Sequence, residues 1–425
     1  MAEVDIENAP WEPAAIESAD IVVGVLSFNS AETIGPVVAA VQSGLSSYFS
    51  GNRSVLVHAD GGSKDGTQEL AVQSALDKDS FLQVTYPVYP VHKLSSGYYP
   101  IPGRGNAVRT VFEAAGKVHA KTCAVLDANV QGLKPEWIHA LVRPVFEEGF
   151  DFVSPYYLRH KYEGTILNGI VYPLIRALYG KRIHQPIGGD FAFSAALIGH
   201  YLDQPEGDTD LAGNGIDAWL TTHAISGGFR LAQVFCESRV RHEHEPPPDV
   251  STILAQVLGP VFTEINRTAP AWQRIRGSEA VPTFGLGSFP AEEPARVDLH
   301  HMMESFRLGY QSLQDVWRLV LPPATLLELK RMASHPDESF HFEDAAWART
   351  IYDFALAYRL RLMDRDHLLR ALTPLYLGWL ASYLLEVRDS TAAEAQARIE
   401  TLCRAYEAQK GYLISRWRWP DRFNP

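Results

Sequence analysis

Two oxygen-bearing side chains one residue apart, Asp127 and Asn129, close an otherwise apolar run from Ala124 to Val130 (Ala-Val-Leu-Asp-Ala-Asn-Val). In an extended segment residues i and i+2 point the same way. Such a pair at the end of a buried strand offers two oxygens to one hard divalent cation, which in turn can hold a diphosphate. The same residues also form Asx-turns after strands, so the pair alone does not choose between the two. Upstream, Pro102-Gly103-Arg104-Gly105 opens a helical stretch. Glycines there let backbone amides approach a phosphate at a helix N-terminus, and Arg104 adds a cation. Asp60 heads the turn cluster Asp60-Gly61-Gly62-Ser63-Lys64-Asp65-Gly66-Thr67, where it either caps local structure or recognises a nucleotide base.

Further candidates follow Asp127. The loop Gln185-Pro186-Ile187-Gly188-Gly189-Asp190 exposes backbone amides able to hold a carboxylate, or makes a tight turn before a strand. Asp217 falls in the first turn of a helix after Gly213-Asn214-Gly215, where an acidic residue ordinarily serves the helix dipole. Arg241-His242-Glu243-His244-Glu245 is the densest set of potential metal ligands. Two histidines with no Cys or third His beside them make a poor zinc site, whereas one of them can supplement a carboxylate site elsewhere.

These residues need elements to hold them. Ile21 to Ser27 and Ser54 to His58 read as buried strands, each followed by a turn and a helical pattern, and a third strand runs around Leu82 to Tyr86. Strand and helix alternating in this way predict a parallel sheet with ligands at the carboxyl ends of its strands. Asp60 and Asp127 both fall at such ends. Phe152 to Tyr157 and Phe229 to Phe235 read as further strands. From about Thr252 the pattern turns helical, and the aromatic residues there are expected to be core or subunit interface.

Composition narrows the partners. The chain has 425 residues, 46% hydrophobic and 21% charged, with a formal net charge of -12. That balance gives no basic footprint for nucleic acid and is repelled by an anionic membrane surface. An acidic chain that handles anionic small molecules must concentrate positive charge, or a metal, at one place. Cys123, Cys236 and Cys403 are far apart and form no CxxC pattern. With no basic region and apolar core at the N-terminus, and Thr373 to Val387 too short and interrupted to span a bilayer, a cytoplasmic location is expected.

The order of these motifs resembles the GT-A glycosyltransferases that use nucleotide-diphospho-sugars. More narrowly, Gln185-Pro186-Ile187-Gly188-Gly189, Gly215-Ile216-Asp217, His242 and the late Phe340-His341-Phe342-Glu343-Asp344-Ala345-Ala346-Trp347-Ala348 resemble the retaining mannosylglycerate synthase family, with its glucosylglycerate and glucosyl-3-phosphoglycerate synthase relatives. The resemblance runs from about residue 20 to about residue 390. It implies an α/β GT-A fold, a Rossmann-like mixed and mostly parallel sheet. The expected divisions are a leader at 1–19, a nucleotide-sugar-binding and catalytic domain at 20–260, and a mainly helical domain at 261–425 that helps build a homo-oligomer.

The resemblance also implies roles. Phe28, Asp60, Gly103, Arg104, Gly105, Asp127, Ala128 and Asn129 would bind the donor. Asp127, Asn129 and His242, or His244 in its place, would hold Mg2+ or Mn2+. Arg159, Thr165, Ile187, Gly188, Gly189 and Asp190 would bind the acceptor, and Asp217 and Arg104 would serve catalysis. The implied reaction moves mannose or glucose from a GDP- or UDP-sugar to D-glycerate or a similar small hydroxy-carboxylate, with configuration retained. A phosphorylated or glycan acceptor, served by Arg159, Lys161, Lys181 and Arg182, is one alternative, and a catalytically silent sugar-nucleotide-binding protein is another. One departure is plain: Asn129 stands where the family's metal motif has Asp, removing a negative charge.

Overall fold

The computed structural model describes residues 16–88, 101–204, 215–236, 240–241, 249–289 and 297–420. The chain forms two compact units. The first comprises residues 1–157, 187–247 and 282–287, and the second 158–186, 248–281 and 288–425. Residue 260, where the sequence reading sets a boundary, sits inside a helix, Val250–Arg267.

The first unit is built on an eight-stranded sheet. Its strands are β1 (Ile21–Ser27), β2 (Ser54–Asp60), β3 (Phe81–Thr85), β4 (Thr122–Asp127), β5 (Phe152–Tyr157), β6 (Phe191–Ser194), β7 (Leu231–Cys236) and β8 (Thr283–Phe284). They lie in the order β8-β7-β5-β6-β4-β1-β2-β3. All pairs are parallel except those of β6, which runs antiparallel to both β4 and β5. The sheet is therefore mixed and mostly parallel, as expected from the sequence. Strands β1 and β4 are buried at every position, which is why they read as unbroken apolar runs.

Helices cover the sheet, and the short α2 (Thr67–Ser74) follows β2. On one face α1 (Ile34–Tyr48) packs Val37, Val38, Val41 and Leu45, a helical i, i+3, i+4 stripe, against Ile138, Leu141 and Val142 of α4 (Pro135–Phe146). On the other face lies α3 (Arg104–Lys117), whose buried stripe includes Ala107, Val108, Val111 and Phe112. Its approach to the sheet depends on one glycine. A Cβ at Gly24 of β1 would stand 2.4 Å from Cγ1 of Val111. The missing side chain lets α3 settle onto β1, and α3 carries Arg104 at its first turn.

The second unit is helical. A π-helical turn, Leu167–Val171, runs into the helix Tyr172–Tyr179, and longer helices include Asp344–Leu360, Thr373–Glu386 and Ala392–Arg418. Many of its aromatic residues are core: Trp347 stacks on Trp379 at 5.4 Å between ring centroids, and Trp379 on Tyr383 at 5.6 Å. The Gly169 carbonyl accepts from Trp347 Nε1 at 2.9 Å and from the Tyr406 hydroxyl at 3.1 Å. Residues 365–386 are long and apolar enough to cross a membrane, but most of that length is buried inside the protein, as in a core helix.

Because an added Cβ would meet Cγ1, Cγ2 and Cβ of Val111 at 2.4, 2.7 and 3.1 Å, Gly24→Ala should overpack the β1–α3 contact and destabilise the protein by about 1–3 kcal/mol. Urea unfolding at neutral pH measures it, and an unchanged midpoint would show that α3 does not depend on this contact.

Candidate active site

Arg104 is the hub of the first unit's polar centre. Gly103 before it adopts the left-handed conformation (φ 66°) at the N-cap of α3, where glycine carries no Cβ penalty, and it offers no side-chain cap to the helix. From this first turn the guanidinium of Arg104, 3% exposed, reaches three partners. Nη1 makes a short ion pair with Oδ1 of Asp127, Nε donates to Oδ1 of Asp217 at 3.0 Å, and Nη2 donates to the Gly189 carbonyl at 2.6 Å. Burial works against the charge, but the Asp127 and Asp217 carboxylates outweigh it and raise the Arg104 pKa above the ordinary guanidinium value. The locally concentrated cation demanded by the acidic composition is here.

Asp127 ends β4, and the amide of Ala128 beyond it donates to the Leu26 carbonyl of β1 at 2.8 Å, tying the Asp-Ala-Asn segment to the end of the neighbouring strand. The Asp127 amide donates to Oδ1 of Asp190 at 3.4 Å, and Oδ2 of Asp190 accepts from the Tyr157 hydroxyl at 2.5 Å. Asp190 is fully buried. Expected among the acceptor-binding residues, it supports the Asp127 backbone through this contact. In the loop at Ile187 to Gly189, the Gly188 amide donates to Oδ2 of Asp217 at 3.3 Å. A side-chain carboxylate thus occupies part of the amide seat read as the acceptor's. Gly189 has φ 93°, a conformation that favours glycine and turns its carbonyl to Arg104.

The oxygens available for a cation are few. Asp127 and Asn129 are 5% and 9% exposed, and among the described residues no group of three or more His, Cys, Asp or Glu could hold a metal ion. One carboxylate and one amide oxygen fit a hard cation that brings most of its ligands as waters and donor phosphates, in the manner of Mg2+, and do not make an all-protein cage. His242 and His244 lie outside the described residues. Arg241 pairs antiparallel with Val130, the residue after Asn129.

At the ends of β1 and β2, Asp60 is fully buried. Half-buried Phe28 lies against the same turn, since a Cβ on Gly61 would stand 3.1 Å from its ring. Asn29, at φ 47°, accepts from the Lys64 amide through Oδ1 at 3.1 Å and gives its own amide to Ser63 Oγ at 2.8 Å. The loops after β1 and β2 are therefore laced into one surface. Arg159 and Thr165 belong to the second unit, where Arg159 Nη1 donates to Gln185 Oε1 at 2.7 Å and the Thr165 hydroxyl lies 2.6 Å from that of Tyr376. Lys161 there donates to the carbonyls of Arg388 and Ser390, Arg182 to Ser278, and Lys181 pairs with Glu279.

No family model and no curated protein matches the chain. Several similar solved structures are glycosyltransferases by name. Glucosyl-3-phosphoglycerate synthase from Mycobacterium tuberculosis, in complex with phosphoglyceric acid, is 21% identical at a TM-score of 0.45, over 60% of this chain and 82% of that one. Mannosyl-3-phosphoglycerate synthase from Rubrobacter xylanophilus is 20% identical at a TM-score of 0.41, over 61% and 77%. A mannosyltransferase from Pyrobaculum calidifontis in complex with GDP-Man and Mn2+ is 13% identical at a TM-score of 0.41, over 98% and 92%. Likenesses this distant leave the functional case with the chain's own residues.

Arg104→Met leaves two buried carboxylates without their counter-charge and should cost about 3–5 kcal/mol of stability in urea unfolding. A loss below about 1 kcal/mol would show that the three-way contact does not hold the site together.

Proposed function

We propose that the chain is a retaining hexosyltransferase that moves mannose or glucose from a GDP- or UDP-sugar to D-glycerate or a closely related small hydroxy-carboxylate. The observation that carries this reading is the convergence of Arg104, Asp127, Asp217 and the Gly188-Gly189 loop at the carboxyl end of β4. A diphosphate entering there meets the N-terminus of α3 and a guanidinium together. Phe28 and the turn after Asp60 take the nucleoside, with Gly103 and Gly105 beside the diphosphate. The loop at Ile187 to Gly189 takes the acceptor's carboxylate once Asp217 releases the Gly188 amide, and Arg159 and Thr165 supply further acceptor contacts.

Asp127, Asn129 and His242 would hold Mg2+ or Mn2+. When bound, such a cation stabilises the leaving diphosphate as a Lewis acid. Arg104 adds a fixed positive charge to the same end of the reaction without reorganising. Asp217, held by Arg104 after it leaves the Gly188 amide, would orient hydroxyls rather than attack. That favours front-face delivery of the acceptor hydroxyl, with the departing phosphate taking its proton and anomeric configuration retained. The occupied cations Lys161, Lys181 and Arg182 favour an acceptor without a phosphate. Three buried, unpaired cysteines agree with a reducing, cytoplasmic setting, and we propose a homo-oligomer as the working form.

The test is a matrix of GDP-mannose, GDP-glucose and UDP-glucose against D-glycerate, 3-phosphoglycerate and lactate, with and without Mn2+ or Mg2+. Turnover is expected with one donor and glycerate, and its absence in every combination with folded protein sinks the enzyme reading. Asp127→Ala and His242→Ala should each lower turnover at least about tenfold, roughly 1.4 kcal/mol in barrier. Wild-type rates in both variants would refute the metal ligands.

A further inference from the structure

Asp60 has no acceptor capacity left for a ligand. Its Oδ1 accepts from the amides of Gly62 at 2.9 Å and Ser63 at 2.8 Å and from Gln68 Nε2 at 2.6 Å, and its Oδ2 from the hydroxyls of Ser27 and Ser63, both at 2.6 Å. A carboxylate has about four lone-pair sites. All are taken by the protein, and the side chain is sealed from solvent.

Those donors belong to a ring of polar contacts. From Asp60 it passes to Ser27, from Ser27 Oγ to His58 Nε2 at 2.7 Å, from His58 Nδ1 to Gln83 Oε1 at 3.4 Å, and from Gln83 Nε2 to Gln68 Oε1 at 3.2 Å. Gln68 returns it to Asp60. The strand register brings the members together, since Ser27 of β1 pairs with Asp60 and His58 with Gln83 of β3, while Gln68 reaches in from the helix after the turn. Proton bookkeeping fixes the directions. Ser27 gives its one proton to Asp60, so His58 Nε2 must carry the proton that Ser27 accepts. Each glutamine is oriented by the neighbour nearer the carboxylate. Burial lowers the His58 pKa, against the pull of Asp60 and Gln83. A neutral imidazole protonated on Nε2 leaves Nδ1 an acceptor facing the acceptor Oε1 of Gln83, so this contact, at 3.4 Å the longest of the ring, is packing and not a hydrogen bond. Burial likewise opposes the Asp60 charge, but the donors outweigh it and hold its pKa below the usual carboxylate value.

We infer that Asp60 does not read the donor's base: it is a positioning residue, held by Ser27, His58, Gln68 and Gln83, that fixes the Gly61-Gly62-Ser63 turn on which the nucleoside rests. The inference rests on the nucleotide-sugar reading above, and two measurements separate the two.

The first needs no ligand. In the free protein, amide hydrogen exchange at Gly62 and Ser63 should quicken at least tenfold in Asp60→Asn, and severalfold in Gln68→Leu and Gln83→Leu. Both glutamines are only partly buried, so these variants should fold even if Asp60→Asn does not. Unchanged exchange in the glutamine variants overturns the ring. The second is equilibrium binding of UDP and GDP. A carboxylate that reads the base would, on conversion to an amide, shift the UDP to GDP preference at least tenfold. A positioning role weakens both nucleotides in proportion, keeps their ratio within about twofold, and gives the same signature, smaller, in Gln68→Leu. With the sugar donor, KM should rise while kcat stays within about twofold. A shifted ratio in Asp60→Asn with wild-type binding in Gln68→Leu overturns the inference. Wild-type protein that binds neither nucleotide overturns the donor reading, and the exchange experiment still decides the ring.

Discussion

The polar centre of this protein depends on one guanidinium shared by two carboxylates. Arg104 stands between Asp127 at the end of β4 and Asp217 at the start of a helix more than a hundred residues later, and its third donor holds the Gly189 carbonyl. Two buried acids this close would repel each other and pay for desolvation. A planar cation with donors in three directions resolves both costs at once, which a lysine's point charge would not. The same contacts set the distances among the three stretches that the sequence marks for donor, catalysis and acceptor. Folding and the proposed chemistry therefore draw on one interaction.

Around that hub the molecule spends polar groups on support as much as on exposure. Asp190 faces the Asp127 amide and the Tyr157 hydroxyl, and Asp60 faces its own turn. Both side chains are fully buried. Each holds a loop at the carboxyl edge of the sheet, where backbone that leaves the ladder loses its hydrogen-bonding partners and needs others. A carboxylate placed beneath such a loop supplies several acceptors from one residue. Rigid loops built this way keep a site in shape before any ligand arrives.

Much of this was legible in the sequence, for definite reasons. The apolar runs at Ile21 to Ser27 and Ala124 to Leu126 read as strands because both faces of the sheet are covered, and their alternation with helices predicts the parallel part of the sheet, not the antiparallel β6. The glycines at 103 and 189 announced turns because their backbones occupy φ 66° and 93°. Partnership was not legible. Nothing in Gly-Arg-Gly says that Arg104 will face Asp217, and nothing in Gly-Gly-Asp says that Asp190 points inward. The ring around Asp60 left a faint trace, since Ser27 and His58 are polar residues inside apolar strands. Their pairing appears only when the register sets Ser27 beside Asp60 and His58 beside Gln83.

Asn129 takes its meaning from the same hub. One guanidinium against the carboxylates of Asp127 and Asp217 leaves the cluster one negative charge in excess. An aspartate at 129 would add a second, and that surplus would draw a divalent cation to the protein before any donor bound. With asparagine the surplus stays small, and Arg104 already occupies Oδ1 of Asp127. For the proposed donor, the diphosphate then supplies most of the negative charge a cation needs. Metal and nucleotide should consequently bind as a unit, each strengthening the other. The asparagine is thus consistent with the proposed chemistry, because it moves the metal's dependence from the protein to the substrate.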